Sequence, residues 1–468
     1  MLEHDGHGPG RRYSRRDVLK TIGLGAAALG VSACGVTTGS QESGGIEAFG
    51  KAAATGRKAV VELYNVFGGE ENQNWIRLAR MFEETQPDIG VQITYAPAGG
   101  GGGGDNPKLL TAIAGGTPPD LAQLTPFSTP QWAELGVMTD LTEYFAQREL
   151  GEDAFFPAAW NDMNWRGKQW QIQWDADPNF PFFWNKGLFE EVGLDPEVPP
   201  KTIEEVNEFS KRINVVRDGL VQRIGILPWD SYGFSNSIFT WGWAFGGSLY
   251  DREKQEVTPD DEGVVKALEW MTDYAQSVGG PDRISVTPPN LQLHYFGGGN
   301  VAMSPLVSPN ARDVEESTDL RTGAGLLPYA PPAEAPGAGA WIGGWSLFVP
   351  KGAPYVSAAW EFAYWLSATD AGTKAQWDTV GFPPAYRRAP VLKEIQQDPL
   401  MGPFYDTLVT AQHSRPAIPV GSFYTTQLDQ LVGDAIYGRL SPLAALREAK
   451  KNTMIEWDRF NRQLGITE

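Results

Sequence analysis

The chain has 468 residues, a formal charge of −19 and a single cysteine. So acidic a balance argues against nucleic acid as a partner, because phosphate binding needs a basic face, and one cysteine leaves no disulfide. Of four histidines, His4 and His7 lie at the extreme N-terminus, so a histidine-rich zinc site is excluded and a histidine general base has only His294 and His413 as candidates; no metal or cofactor is expected.

Ser14-Arg15-Arg16-Asp17-Val18-Leu19-Lys20 precedes a small apolar run that ends in Val31-Ser32-Ala33-Cys34. The run is shorter than the roughly 20 residues needed to cross a bilayer and reads as the apolar region of a signal peptide. The paired arginines resemble the twin-arginine export signal, and Val-Ser-Ala-Cys resembles the lipobox of bacterial lipoproteins. These resemblances imply a signal peptide over residues 1–33, cleavage before Cys34 and a diacylglyceryl thioether on its sulfur. Acyl chains contribute about 0.8 kcal/mol per buried CH2, so the exported protein would be held on the outer face of the cell membrane or in the periplasm. Residues 34–57 would then be a lipidated cysteine and a flexible tether rich in Gly, Ser, Thr and Ala. Roughly 410 residues follow, more than one core usually serves, which points to two domains.

The folded part opens with a β-prone run, Ala59-Val60-Val61-Glu62-Leu63-Tyr64, a polar glycine loop and an amphipathic helix over residues 75–84, closed by Pro87. A strand over residues 91–95 follows, then a helix capped by Asn106-Pro107, a strand at residues 119–124 and a helix at 131–135. This βαβαβ order predicts an α/β domain with a mainly parallel sheet. Six glycines, 99–104, precede the second helix. They lack the Gly-Lys-Ser/Thr of a phosphate loop and are followed by Asp105, which places negative charge where phosphate would sit, so a mobile loop is the better reading. Further on, Thr202 and Glu205 form a capping box ahead of a helix over residues 203–213.

Motifs spread along this region carry a further resemblance. Gly115-Gly116-Thr117-Pro118-Pro119-Asp120, Trp184-Asn185-Lys186-Gly187-Leu188-Phe189 with Gly193-Leu194 and Pro200-Lys201-Thr202-Ile203-Glu204-Glu205, Phe296-Gly297-Gly298-Gly299-Asn300-Val301-Ala302-Met303, and Gly343-Gly344-Trp345 leading to Pro350-Lys351-Gly352-Ala353 occur in an order and spacing that resemble family 1 extracellular solute-binding proteins of ABC transporters. Gly187 and Asn300 depart from that family's Asp and Lys. The resemblance implies a type II periplasmic-binding-protein fold, two α/β lobes joined by three crossings with ligand between them. Motif matching places the crossings near residues 175–178, 321–325 and 367–372. The first lobe would comprise residues 58–176 and 323–369, and the second residues 177–322 and 370–468.

Seventeen Trp, 15 Tyr and 22 Phe exceed what a core requires. An indole offers a flat apolar face and a polar N–H edge, which suits sugar rings. Loops at the C-terminal ends of parallel strands line the crevice in such folds. The first is Phe67 to Asn74, where Glu70, Glu71 and Asn72 either bond ligand hydroxyls or cap the next helix. Thr125 to Ser128, including the candidates Phe127 and Ser128, have the same placement after the third strand. Trp174, Asp175 and Asp177 stand at the first crossing; paired carboxylates suggest glycoside hydrolysis, but their i, i+2 spacing favours ligand contact or hinge hydrogen bonding. From the second lobe come Trp229, Asp230, Tyr232, Trp241 and Trp243, of which the last two share a face on a strand and diverge on a helix. Trp341, Gly344 and Trp345 belong to the first lobe, where adjacent glycines admit ligand to the backbone. After the third crossing, Tyr386 stands beside Arg387 and Arg388, which either fork ligand groups or form a solvated pair. Tyr424 matches the aromatic segment that stacks on ligand in maltose-binding relatives.

The resulting expectation is a monomeric, lipid-anchored receptor, not an enzyme, that captures a carbohydrate and delivers it to an ABC permease. The alternatives are a glycerol-phosphate ester as ligand, for which Arg387 and Arg388 would matter, and a lipid-anchored glycosidase.

Overall fold

The computed structural model describes residues 57–99, 103–229, 232–285 and 295–466. The export signal, Cys34 and its tether, Asp230 and His294 lie outside the described residues.

From the N-terminal side the elements are β1 (Ala59–Asn65), α1 (Gly69–Thr85), β2 (Ile89–Tyr95), α2 (Pro107–Ala114), β3 (Leu121–Leu124), α3 (Pro157–Met163), β4 (Ile172–Gln173), β5 (Asp177–Asn179) and β6 (Phe182–Asn185). Next come α4 (Ile203–Ile213), β7 (Val215–Arg217), β8 (Leu220–Ile226), α5 (Phe234–Ala244), α6 (Glu262–Ser277), β9 (Val301–Pro305), α7 (Ser308–Ser317) and β10 (Thr322–Gly325). The remainder is β11 (Trp341–Gly343), β12 (Ser346–Phe348), α8 (Val356–Ala368), α9 (Asp370–Val380), α10 (Val391–Gln397), α11 (Gly402–Thr410), β13 (His413–Ser414), α12 (Gly421–Ile436) and α13 (Pro442–Leu464), with short turns and hairpins between.

The βαβαβ opening forms as its pattern dictates. Val61 and Leu63 of β1 alternate into the core, and Trp75, Leu78, Ala79 and Phe82 bury one face of α1 against it. β2 and β3 flank β1 in parallel, and β12 and β4 extend the sheet antiparallel, in the order β2-β1-β3-β12-β4. A second sheet, β10-β6-β9-β8-β7, builds the other lobe, with α4, α5 and α6 around it. The capping box at Thr202 and Glu205 and the Asn106 cap, whose side chain accepts from Leu109 N at 3.0 Å, start their helices where expected. A third sheet, β13-β11-β5, lies between the lobes.

β5 follows β4 of the first sheet and precedes β6 of the second. The second crossing is displaced from residues 321–325. Thr322 to Gly325 pair antiparallel with β6 and close the second sheet, so the chain returns to the first lobe only through β11 and β12. The third crossing is displaced further. α9 packs on α1 and α8, α10 on α9, and α11 over β5. Ala375, Trp377, Leu392, Ile395, Met401 and Phe404 join the core built on β1 and α1. The chain therefore passes to the second lobe at β13 and not at residues 367–372, after which α12 packs on α5 and α13. Among the described residues no helix is long and apolar enough to cross a membrane.

Candidate functional site

The central sheet sets the floor of the cleft. Gly344 adopts φ +113°, and a Cβ there would stand 2.5 Å from the Asp175 carbonyl oxygen, so only glycine lets β11 run this close to the first crossing. Gln173 Nε2 donates to the carbonyls of Asp175 and Gly343, both at 2.8 Å. The Trp345 N–H donates to Asp175 Oδ1 at 2.5 Å. Burial, reinforced by the neighbouring Asp177 carboxylate, raises Asp175 well above the usual carboxylate range. Burial also pushes Asp177 up to about 7, against the pull of Arg415.

The walls come from both lobes. On the first-lobe side, Gly103 and Gly104 end the glycine run: a Cβ at Gly103 would meet the Trp345 ring at 2.8 Å, and one at Gly104 would meet Ser422 Oγ of the other lobe at 2.2 Å and the Phe127 ring at 3.2 Å. Phe67 lies edge-on to Trp345, ring centroids 5.2 Å apart. From the second lobe Tyr232 stacks on Phe180 at 5.3 Å and donates its hydroxyl to Asn310 Oδ1 at 2.7 Å. Arg415, just after β13, holds its guanidinium 5.0 Å from the Phe127 ring and 5.1 Å from the Trp341 ring, with Nη2 donating to Asn236 Oδ1 at 3.1 Å. Burial lowers it to about 10, opposed by Asp177 and Asp162, so it stays cationic at neutral pH. Among the described residues Thr125 Oγ1, Asp175 Oδ2, Asp177 Oδ1 and Ser422 Oγ are buried without a hydrogen-bond partner. Leaving such a group unpaired costs about 1–3 kcal/mol.

The sequence-predicted residues divide accordingly. Asp175, Gly344, Trp345 and Phe127 meet at this cleft. Ser128 lies beside Phe127 but turns its hydroxyl onto the Thr125 carbonyl at 2.7 Å and locks that turn. Glu70 and Glu71 are exposed in the first turn of α1, because the presumed loop is helical from Gly69. Asn72 is buried there and accepts from Asn65 Nδ2 at 2.8 Å, which fixes the entry to the helix. Trp174 is buried among Phe67, Trp75 and Phe382 in the first-lobe core. Trp341 is buried in the second-lobe core among Phe180, Phe239 and Trp243, its indole N–H bonded to Thr240 Oγ1 at 2.9 Å and its ring beneath the Arg415 guanidinium. Trp241 and Trp243 sit on α5 and diverge. Trp241 turns inward, bonding the Pro228 carbonyl at 2.7 Å, while Trp243 stacks flat on His413 with centroids 4.7 Å apart. Trp229 packs near Tyr274 at a separate depression that includes Tyr295 and Tyr437. Tyr386 packs on Phe155 at 5.9 Å, Arg388 pairs with Asp153, and Arg387 is exposed at the edge of a second pocket. Tyr424 is no platform: it is buried against Phe239 with its hydroxyl on the Leu249 carbonyl at 3.2 Å. Thr125 belongs to the loop that the sequence placed at the crevice; Arg415 was not singled out, and its one sequence signal is its place shortly before the Ser422-Phe423-Tyr424 segment.

The family model described as bacterial extracellular solute-binding protein matches residues 77–403. The sn-glycerol-3-phosphate-binding periplasmic protein of Shigella flexneri is 22% identical over 378 residues, covering 77% of this chain and 82% of that protein. The arabinooligosaccharide-binding protein of Bacillus subtilis is 22% identical over 342 residues, covering 71% of this chain and 75% of that protein. Among solved structures, the mannotriose-bound CpMnBP1 superposes with a TM-score of 0.73 at 24% identity, over 84% of this chain and all of that one. The shared architecture is the type II periplasmic-binding-protein fold. With two lobes around a polar and aromatic cleft, and a family match over most of its length, this chain belongs to the bacterial extracellular solute-binding proteins.

Proposed function

We propose that this protein is the solute receptor of an ABC importer and captures a carbohydrate, specifically an oligosaccharide, between its lobes. The observation that carries the reading is the set of buried hydrogen-bonding atoms, Thr125 Oγ1, Asp175 Oδ2, Asp177 Oδ1 and Ser422 Oγ, contributed from both lobes beside the aromatic pair Phe67 and Trp345. A sugar offers hydroxyls to such atoms and C–H faces to such rings. Ligand touching both lobes stabilises the closed arrangement by its differential affinity for it. The arabinooligosaccharide- and mannotriose-binding relatives support this ligand class.

No covalent step is invoked. Asp175 and Asp177 stand two residues apart on one segment, and Asp175 is already bonded to the Trp345 amide, so they do not flank a bond as glycosidase carboxylates do. The N-terminal motifs support export and a lipid anchor on Cys34, which would place a monomeric receptor beside its permease. Mass spectrometry of the mature N-terminus checks the anchor.

Thermal-shift screening of the purified protein against mono-, di- and trisaccharides tests the central reading. A saturable rise in melting temperature with an unmodified sugar is expected. Turnover of the sugar would replace the receptor by an enzyme, and no shift with any sugar would remove the carbohydrate assignment.

A further inference from the structure

A second concavity of about 590 Å3 adjoins the cleft beyond Arg415, within the size range of small-molecule sites. Both lobes line it: Asn161 of α3 and Arg387 from the first, Trp243 and Arg252 from the second, with His413 of β13 and Arg415 just after it. Its floor is the flat Trp243 and His413 pair, interplanar angle 1°. The imidazole is neutral, since burial lowers it to about 4.

We propose that this pocket receives an acidic group, a carboxylate, phosphate or sulfate, borne by the ligand whose polyol part occupies the cleft; the inference rests on the receptor reading above. In a chain of charge −19, three guanidiniums from three separate elements around one concavity invert the local field. Arg388, one residue from the pocket, is neutralised by Asp153. Arg252 and Arg387 have no ion-pair partner among the described residues, so their charge is available to a ligand. The acidic side chains that act on these guanidiniums are the exposed Asp153 near Arg387, Asp177 near Arg415, and Asp162, whose Oδ1 accepts from Ser414 Oγ at 2.9 Å and whose carboxyl is raised by burial to about 7, against the pull of Arg252 and Arg415. A guanidinium presents two parallel N–H groups in one plane, which matches the oxygens of carboxylate or phosphate. Arg415 belongs to both spaces. Its rings on either side, Phe127 and Trp341, hold it where a ligand can run from neutral cleft to basic pocket.

The test compares matched probes by calorimetry on the whole mature protein: digalacturonate against galactobiose, glycerol 3-phosphate against glycerol, and inorganic phosphate alone. The expected result is at least one acidic probe binding about tenfold more tightly than its neutral counterpart, the effect of one charge-assisted contact, and losing that advantage as salt rises. The sugar pair and the glycerol pair separate a uronate from a phosphate ester. Arg252→Gln and Arg387→Gln, both at the pocket rim and away from the cleft, are each expected to erase the advantage while leaving galactobiose binding and the melting temperature unchanged. Equal affinity for acidic and neutral partners overturns the pocket while the receptor reading stands. Loss of neutral-sugar binding in the two variants, or an acidic advantage that neither variant alters, also overturns it. If no sugar binds and free phosphate alone is held through Arg252 and Arg387, the carbohydrate assignment falls and the anion pocket remains.

Discussion

Asp162 shows how enclosure makes a side chain pH-sensitive. Its value near 7 in the folded protein lies above the roughly 3.9 of an unfolded aspartate. Between these values the native state holds a proton that the unfolded chain has released, so this group's contribution to stability falls as pH rises through that window. Asp162→Asn keeps an acceptor for Ser414 and removes the titration. Relative to wild type, the variant is expected to gain stability on the order of 4 kcal/mol between about pH 4 and pH 7.5, measured as the change in urea midpoint. His413 has the opposite sign: its value near 4 lies below the ordinary 6.5, so its contribution rises with pH from about 4 to 6.5. Residue types at these positions were plain in the sequence, but their burial was not. Trp174, Trp341 and Tyr424 are core residues because an aromatic ring serves packing and ligand stacking equally well, and only its surroundings distinguish the two.

At the level of elements, local chemistry was the more faithful guide. α4 runs from Ile203 to Ile213 because Thr202 and Glu205 satisfy each other's orphan N–H groups, a purely local exchange. Thr202→Ala is expected to lower stability by about 1 kcal/mol, read as a lower urea midpoint at unchanged slope. α1 begins earlier than its apolar pattern suggested. Glu70 and Glu71 add favourable charge to its first turn, and that advantage recruits what looked like a ligand loop into the helix. α5 resolves the two readings of Trp241 and Trp243: on a helix they point apart, one to Pro228 and one to His413.

For the whole molecule, closure is a matter of fit at the seam. Gly104 of the first lobe faces Ser422 of the second, and a methyl group there would lie 2.2 Å from Ser422 Oγ. Overpacking of this kind costs about 1–3 kcal/mol. Gly104→Ala is therefore expected to weaken sugar affinity by roughly five- to a hundredfold with little change in the melting temperature of the ligand-free protein, because the severe clash, with Ser422, arises only when the lobes meet, whereas the Phe127 ring at 3.2 Å has only to give slightly. Ser422→Gly in the same chain is expected to restore affinity; calorimetry of the single and double variants reads the coupling. If Gly104→Ala instead lowers the ligand-free melting temperature and Ser422→Gly fails to rescue binding, the residue serves the first lobe alone.

Local patterns alone determined the opening βαβαβ unit and the helix caps, and the order of motifs pointed to two lobes. Both unit and caps depend on periodicity and on partners a few residues away. The second and third crossings, the lobe that owns α9 to α11 and the identity of the cleft residues were decided by tertiary packing. Trp377 finds the first-lobe core and the Arg312 guanidinium, 4.0 Å from its ring. Arg415 reaches Phe127 from almost three hundred positions away, a contact that no local pattern encodes, since it exists only once two separately folded lobes bring their faces together.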